Sequence, residues 1–216
     1  MTSTLPARLP EAGGVAPVAL VSESALRRNA PLALAAGIAT GGDDVLAADA
    51  WGHGAEWVRS VLEDLGMDAA PLDAAVLFGM PGSHAQPVLS LRGRALGTKP
   101  LLRGEGVSYG YTHRAPHDTT VALVTGGYAQ GVVRSLGNAA TVAIGGRRHR
   151  IVGRVAMDVC VVDVEDATVE RGAEVVFFGD PAEGHPSLEE WTDATDLGAA
   201  EIVALVGVRA DRRVSA

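Results

Sequence analysis

Lysine is almost missing from this sequence. Lys99 is the single lysine in 216 residues, the other 17 of the 18 basic residues being arginines, so chemistry that needs a Schiff-base amine has Lys99 or nothing. Cysteine also occurs once, which excludes an internal disulfide and a cysteine-based zinc site. Within the apolar run "AMDVCVVDV", Cys160 is expected as a buried, inert thiol. Positive charge is in short supply: the formal net charge is −8, which argues against binding nucleic acid through its phosphates. No run approaches the roughly 20 apolar residues that span a bilayer, so no membrane partner is expected. The opening "MTSTLPARLPEAGG" has one arginine and no apolar centre. It reads as a loose arm over residues 1–14 rather than a secretory signal, and the protein is expected to be cytoplasmic.

What remains suits a globular protein, with 47% hydrophobic against 20% charged residues, and the length allows two small domains. The run "VALV" is a short buried-strand candidate, and "SESALRRNAPLALAAG" reads as a helix with a serine cap, a glycine stop and a kink or late start at Pro31. Next, "DDVLAAD" reads as a strand. In "HGAEWVRSVLEDLG", Val58, Val61, Leu62 and Leu65 form one apolar stripe closed by Gly66, the clearest helix in the chain. "DAAVLFG" reads as another short strand before the loop "MPGSHAQP". This alternation predicts a parallel α/β unit.

From "VLSLRGRAL" onward the pattern turns to β runs: "TTVALVTGG", "ATVAIGGRRHRIVGRVA", "CVVDVEDA" and "AEVVFFGD". Gly145-Gly146 marks a hairpin. Ser187 three residues before Glu190 forms a capping box, and "GAAEIVALVG" a second late helix. The boundary is therefore expected near residues 84–87, giving a βα segment at 15–86 and a β domain at 87–216.

Three stretches of the second segment, "GEGVSYGYTHRAP", "GGYAQGVVRSLGN" and "VGRVAMDVCVVDV", closely resemble in order the C-terminal β domain of the alanine racemase family, with its V-S-Y-G-x-T, G-Y-A-D-G…R and V-G-R-x-C-M-D. In the first segment "VALVSESALRRN" is similar to the family's opening strand and helix, and "AADAWGHG" to its K-A-D-A-Y-G-H-G. The resemblance implies a pyridoxal phosphate (PLP) enzyme with a (β/α) barrel and a β domain. A barrel lysine would serve one face of the substrate's α-carbon and a tyrosine from the partner subunit the other. Carried over, Tyr109 matches that catalytic tyrosine, Tyr128 the tyrosine lining the substrate entrance, and Met157 the residue whose backbone helps hold the substrate carboxylate. Asp158 and Arg134 match an acidic neighbour and a structural basic residue.

The departures concentrate at the cofactor. Ala47 stands at the Schiff-base lysine position, Trp51 at the tyrosine of the PLP phosphate site, and His53 in the turn that such a phosphate would approach. Ala156, Gln130 and Arg209-Ala210-Asp211-Arg212 replace further family residues, while Lys99 lies in the β domain's lead-in. A closed barrel takes about 250 residues, with a lower end of about 200, so the roughly 86 residues before the boundary hold two or three βα units. The expected fold class is a truncated α/β (β/α) barrel fragment followed by an all-β domain of the alanine racemase C-terminal type. Three functions follow from the resemblance: a degenerate racemase homologue without autonomous PLP catalysis, a binding or regulatory subunit that pairs with a full-length racemase and supplies Tyr109 in trans, or an active enzyme interconverting L- and D-alanine. PLP is expected not to be covalently bound. Exposed strand edges favour a homodimer or a heterodimer with a full-length racemase. His113, His117 and Asp118 in "HRAPHD" read as loop residues rather than metal ligands, because Pro116 keeps the histidines off one helix face.

Overall fold

The computed structural model describes residues 16–37 and 41–216; the expected arm at residues 1–14 lies outside them. Strand β1 (Val18–Ser22) leads directly into helix α1 (Glu23–Ala36), because the Ser22 hydroxyl accepts the Ala25 N–H and ends the extended backbone. Helix α1 starts at the serine and runs through Pro31. Its buried Asn29 donates to the carbonyls of Leu77 and Gln86, fastening the later loop to the helix.

The two further strands expected before residue 87 are not formed. Residues Gly42–Ala47 make helix α2, with Asp43 and Asp44 in its first turn, where carboxylates favour helix. Residues Ala74–Leu77 make helix α4, capped by the Asp73 carboxylate on the Val76 N–H. A four-residue apolar run satisfies either conformation, and here an acidic cap decides. Helix α3 (Ala55–Asp64) follows the expected stripe and buries Val58, Val61 and Leu62. The parallel α/β unit is thus replaced by a short helical region carrying one strand.

The remaining strands are β2 (Leu89–Leu101), β3 (Gly106–Val107), β4 (His113–Arg114), β5 (Thr119–Thr125), β6 (Thr141–Ile144), β7 (Arg147–Val152), β8 (Val159–Asp163), β9 (Glu174–Phe178) and β10 (Asp211–Ser215), with helices α5 (Leu188–Asp193) and α6 (Ala199–Arg209) before the last. The chain of pairs β2-β5-β8-β7-β6-β9 is antiparallel throughout, and β9 pairs back onto β2, closing a barrel. Closure needs β2 to change partner, which it does at a register shift between Ala95 and Gly97. Outside the ring, β1 lies antiparallel on β2 and parallel to β10, while β3 and β4 form a separate ribbon. The β6–β7 hairpin turns on Gly145 and Gly146, both at positive φ (57° and 78°), as a two-residue turn requires. The Ser187–Glu190 box is present in both directions.

One apolar core runs from the helical region into the barrel, joining Leu26, Leu62, Leu77 and Phe78 to Leu91, Phe177, Trp191 and Ile202. Trp191 is sealed between the edges of Phe177 and Phe178. Cys160 on β8 lies in the same core, and burial pushes its thiol up to about 12. The native protein is therefore expected to leave a disulfide thiol reagent unreacted and to consume one equivalent on unfolding; reaction of the folded protein at the rate of a free thiol would contradict the packing. Among the described residues no helix is long and apolar enough to cross a membrane.

Candidate functional site

The family-matched residues of the β domain meet around one loop, residues 154–158. The turn after β5 lays its backbone on this loop: Tyr128 N–H donates to the Ala156 carbonyl at 3.0 Å, and Ala129 N–H to the Met157 carbonyl at 2.9 Å. Gln130 accepts the Gly127 N–H at 3.0 Å and donates to the Asp158 carboxylate at 3.0 Å, so the amide standing in place of the family's aspartate cross-braces the two segments. The Tyr109–Tyr111 turn joins from the other side, where the Ser108 hydroxyl donates to the Arg154 carbonyl at 2.6 Å. Ser108 and Tyr111 sit at positive φ (60° and 45°), which throws the intervening tyrosine outward.

The result is an exposed cluster: Tyr109 is 70% and Met157 55% exposed, with Tyr111 beside them. Guanidinium groups rim it. Arg134 lies over the Tyr128 ring at 5.0 Å and Arg114 over the Tyr111 ring at 5.6 Å, while Arg209 donates to the Tyr128 carbonyl at 3.1 Å. The face is thus exposed, aromatic and rimmed by guanidinium groups. Arg114 and Arg154 were not expected at this face. The arginine of "VGRVAMD" was the available signal.

The second group of family-matched residues, at 47–54, does not form a cleft. Ala47 ends α2, exposed. Asp49, Ala50 and Trp51 follow in the left-handed region (φ 54°, 51° and 49°), at roughly 1–2 kcal/mol each for residues with a side chain. Neighbours hold them there. The Asp49 carboxylate accepts the Ala55 N–H at 3.0 Å, and Arg212 of β10 bridges that carboxylate at 2.7 Å and the Gly52 carbonyl at 2.9 Å. Burial alone would raise the Asp49 carboxyl, but the bonds from Arg212 and Ala55 outweigh it and hold the group below its ordinary value. Trp51 is half-buried, its ring 6.0 Å from Phe78.

His53 is fully buried, stacked on Phe78 at 4.2 Å, and its Nδ1 donates to the Ala50 carbonyl at 2.7 Å. Its Nε2 is buried without a hydrogen-bond partner. Two clefts, of 790 and 860 Å³, are lined by Arg28 with residues 79–82, 84–87, 179–182 and 187–189, and by residues 143–147 and 149 with 166–170, 173, 174, 176 and 183–185. Neither reaches Ala47, Trp51 or His53.

These residues do not fit PLP held as a Schiff base. There is no amine at the turn, and Lys99 stands exposed on β2. Elsewhere, Asp118 is engaged in accepting the Arg103 N–H at 2.8 Å.

Comparison with known proteins accounts for the β-domain group. Residues 88–214 match the family model described as alanine racemase, C-terminal domain. The alanine racemase of Frankia casuarinae is 43% identical over 157 residues, 72% of this chain and 40% of that protein. Among solved structures, the alanine racemase of Streptomyces coelicolor A3(2) superposes with a TM-score of 0.62 at 29% identity, covering 74% of this chain and 49% of that one. The alanine racemase of Bartonella henselae, solved with covalently bound pyridoxal phosphate, does so with a TM-score of 0.59 at 28% identity, over 64% and 40%. The chain thus spans 36–40% of the length of two such curated relatives. With the matched model covering more than half of its residues and the barrel closing as described, the chain belongs to the alanine racemase family through that family's C-terminal domain.

Proposed function

We propose that this protein is a racemase-related docking subunit, without PLP-dependent racemisation of its own, that binds a full-length alanine racemase in the cytoplasm and presents Tyr109 to it. One observation carries this: Tyr109 is held outward at 70% exposure on a braced turn, while the position that should carry the amine on the opposite side of the reaction is Ala47. Inverting a carbon centre requires a proton to leave one face and return to the other. This chain offers a group for only one of those faces. The arginine rim suits a partner with carboxylates around a concave mouth.

Alone, with added PLP, the protein is expected to racemise alanine no faster than buffer. Mixed with a full-length racemase whose own β-domain tyrosine is changed to phenylalanine, it is expected to form a complex on size exclusion and to restore turnover. Tyr109→Phe is expected to bind equally and restore nothing. Racemisation by the protein alone would overturn the first half of the proposal, and absence of a complex at micromolar concentration the second.

A further inference from the structure

The larger cleft, of 860 Å³, lies apart from the exposed tyrosine face: none of Tyr109, Tyr128 and Met157 lines it. It is set between the tip of the β6–β7 hairpin, the loop after β8, the start of β9 and the turn at residues 183–185. Its volume falls within the range of small-molecule sites. The charged lining is mostly acidic, with Asp166, Glu170, Glu174 and Glu183 against one guanidinium, that of Arg147. Asp166 holds that guanidinium at 3.4 Å.

Carboxylates at a surface are ordinary, but His149 is not. Side chains alternate along β7. Arg148 and Arg150 turn to Glu190 and to the Asn138 carbonyl, while Arg147 and His149 turn the other way, where Arg147 meets Asp166 in the cleft. His149 stands between the exposed Arg147 and the fully buried Ile151. It lines the cleft, is only 4% exposed, and has an Nε2 with no hydrogen-bond partner. The ring's contact with the Asp163 backbone raises its proton affinity, so the other nitrogen is the donor there. Nε2 is left as a lone pair that lacks a donor, which is costly when buried. The cleft thus supplies an imidazole acceptor, carboxylates, and apolar surface from Ile144, Ala173 and Val176. The complementary molecule is positively charged, rich in N–H donors and carries methylenes.

We propose that this cleft binds an aliphatic diamine, with one nitrogen donating to His149 Nε2 and the other among the carboxylates. Isothermal titration calorimetry of the full chain with putrescine at neutral pH tests this. Wild type is expected to bind one equivalent saturably in the millimolar range or below. His149→Phe, which keeps a ring and removes the acceptor, is expected to weaken binding at least about tenfold. Glu170→Gln, at an exposed carboxylate, is expected to weaken it about threefold, and serves where the His149 variant does not fold. Tetramethylammonium, a cation without N–H, is expected to give no saturable heat. Absence of saturable putrescine binding by wild type at millimolar concentration would overturn the proposal. So would folded variants that bind as wild type does, or tetramethylammonium bound as tightly as putrescine, which would show charge alone gathering cations there.

Discussion

Gly207→Ala is expected to destabilise the protein by about 3 kcal/mol, against the direction that helix propensity predicts. Gly207 lies inside α6, where alanine would ordinarily gain about 1 kcal/mol. A Cβ there would stand 2.1 Å from the Gly52 carbonyl oxygen and 2.6 Å from the Gly52 Cα. Both atoms are backbone in a turn already pinned by Arg212, so neither can swing aside as a side-chain tip could. Relief requires α6 to lift, and the faces of Ile202, Val203 and Val206 are buried with it. Overpacking of this kind costs about 1–3 kcal/mol, and the rigid partner places it at the upper end. Chemical denaturation measures it directly. Val208→Ala, at the neighbouring residue that is 74% exposed, is the control that should leave stability nearly unchanged. A Gly207→Ala variant as stable as wild type would mean that the helix and the turn are not in contact.

Acid is expected to remove a comparable amount of stability between pH 6.5 and 4. The His53 imidazole is lowered to about 4, first by burial and then by the nearby Arg212; the Ala50 carbonyl and Asp49 oppose this without cancelling it. In the unfolded chain the same group titrates near 6.5. Above that pH both states hold neutral imidazole and no pH dependence arises. Between 6.5 and 4 the unfolded state takes a proton that the folded state refuses, so stability falls as the pH falls, by about 3 kcal/mol in all. His149, also pushed down by burial and by Arg147, adds in the same direction. Asp49 acts later and with the opposite charge change: its contribution is present above the ordinary carboxylate value of 3.8 and is lost as the pH falls through its lower folded value. Urea midpoints measured from pH 7.5 to 4 should decline over this window for wild type and flatten in His53→Phe, which keeps a ring against Phe78 and cannot titrate. An equal slope in the two proteins would sink the assignment.

Elements signalled by neighbouring residues were legible before the structure. Ser22 and Ser187 mark helix starts, the 58-61-62-65 stripe marks α3, and Gly145-Gly146 marks its hairpin, each within a few positions. Helices α2 and α4 were misread because apolar runs that short carry no period; the deciding groups were the first-turn acids Asp43 and Asp44 of α2 and the Asp73 cap of α4. The motif order placed Tyr109, Tyr128 and Met157 on one functional theme, but their meeting depends on backbone bonds to residues 154–158, which no spacing encodes. The pairing of β1 with β10 and the grip of Arg212 on Asp49 were not legible at all. Local pattern says nothing about partners 163 positions apart.

That distance sets an order of events during synthesis. When α3 first forms, the ribosome has not yet made Arg212, and Asp49 faces the helix end with no cation opposite it. The left-handed residues around Trp51 have nothing from β10 to hold them, and β1 lacks its parallel neighbour. Chains usually gain structure from the N-terminal side as they emerge. Here the grip on the opening turn, and the parallel neighbour of β1, come only with the final strand.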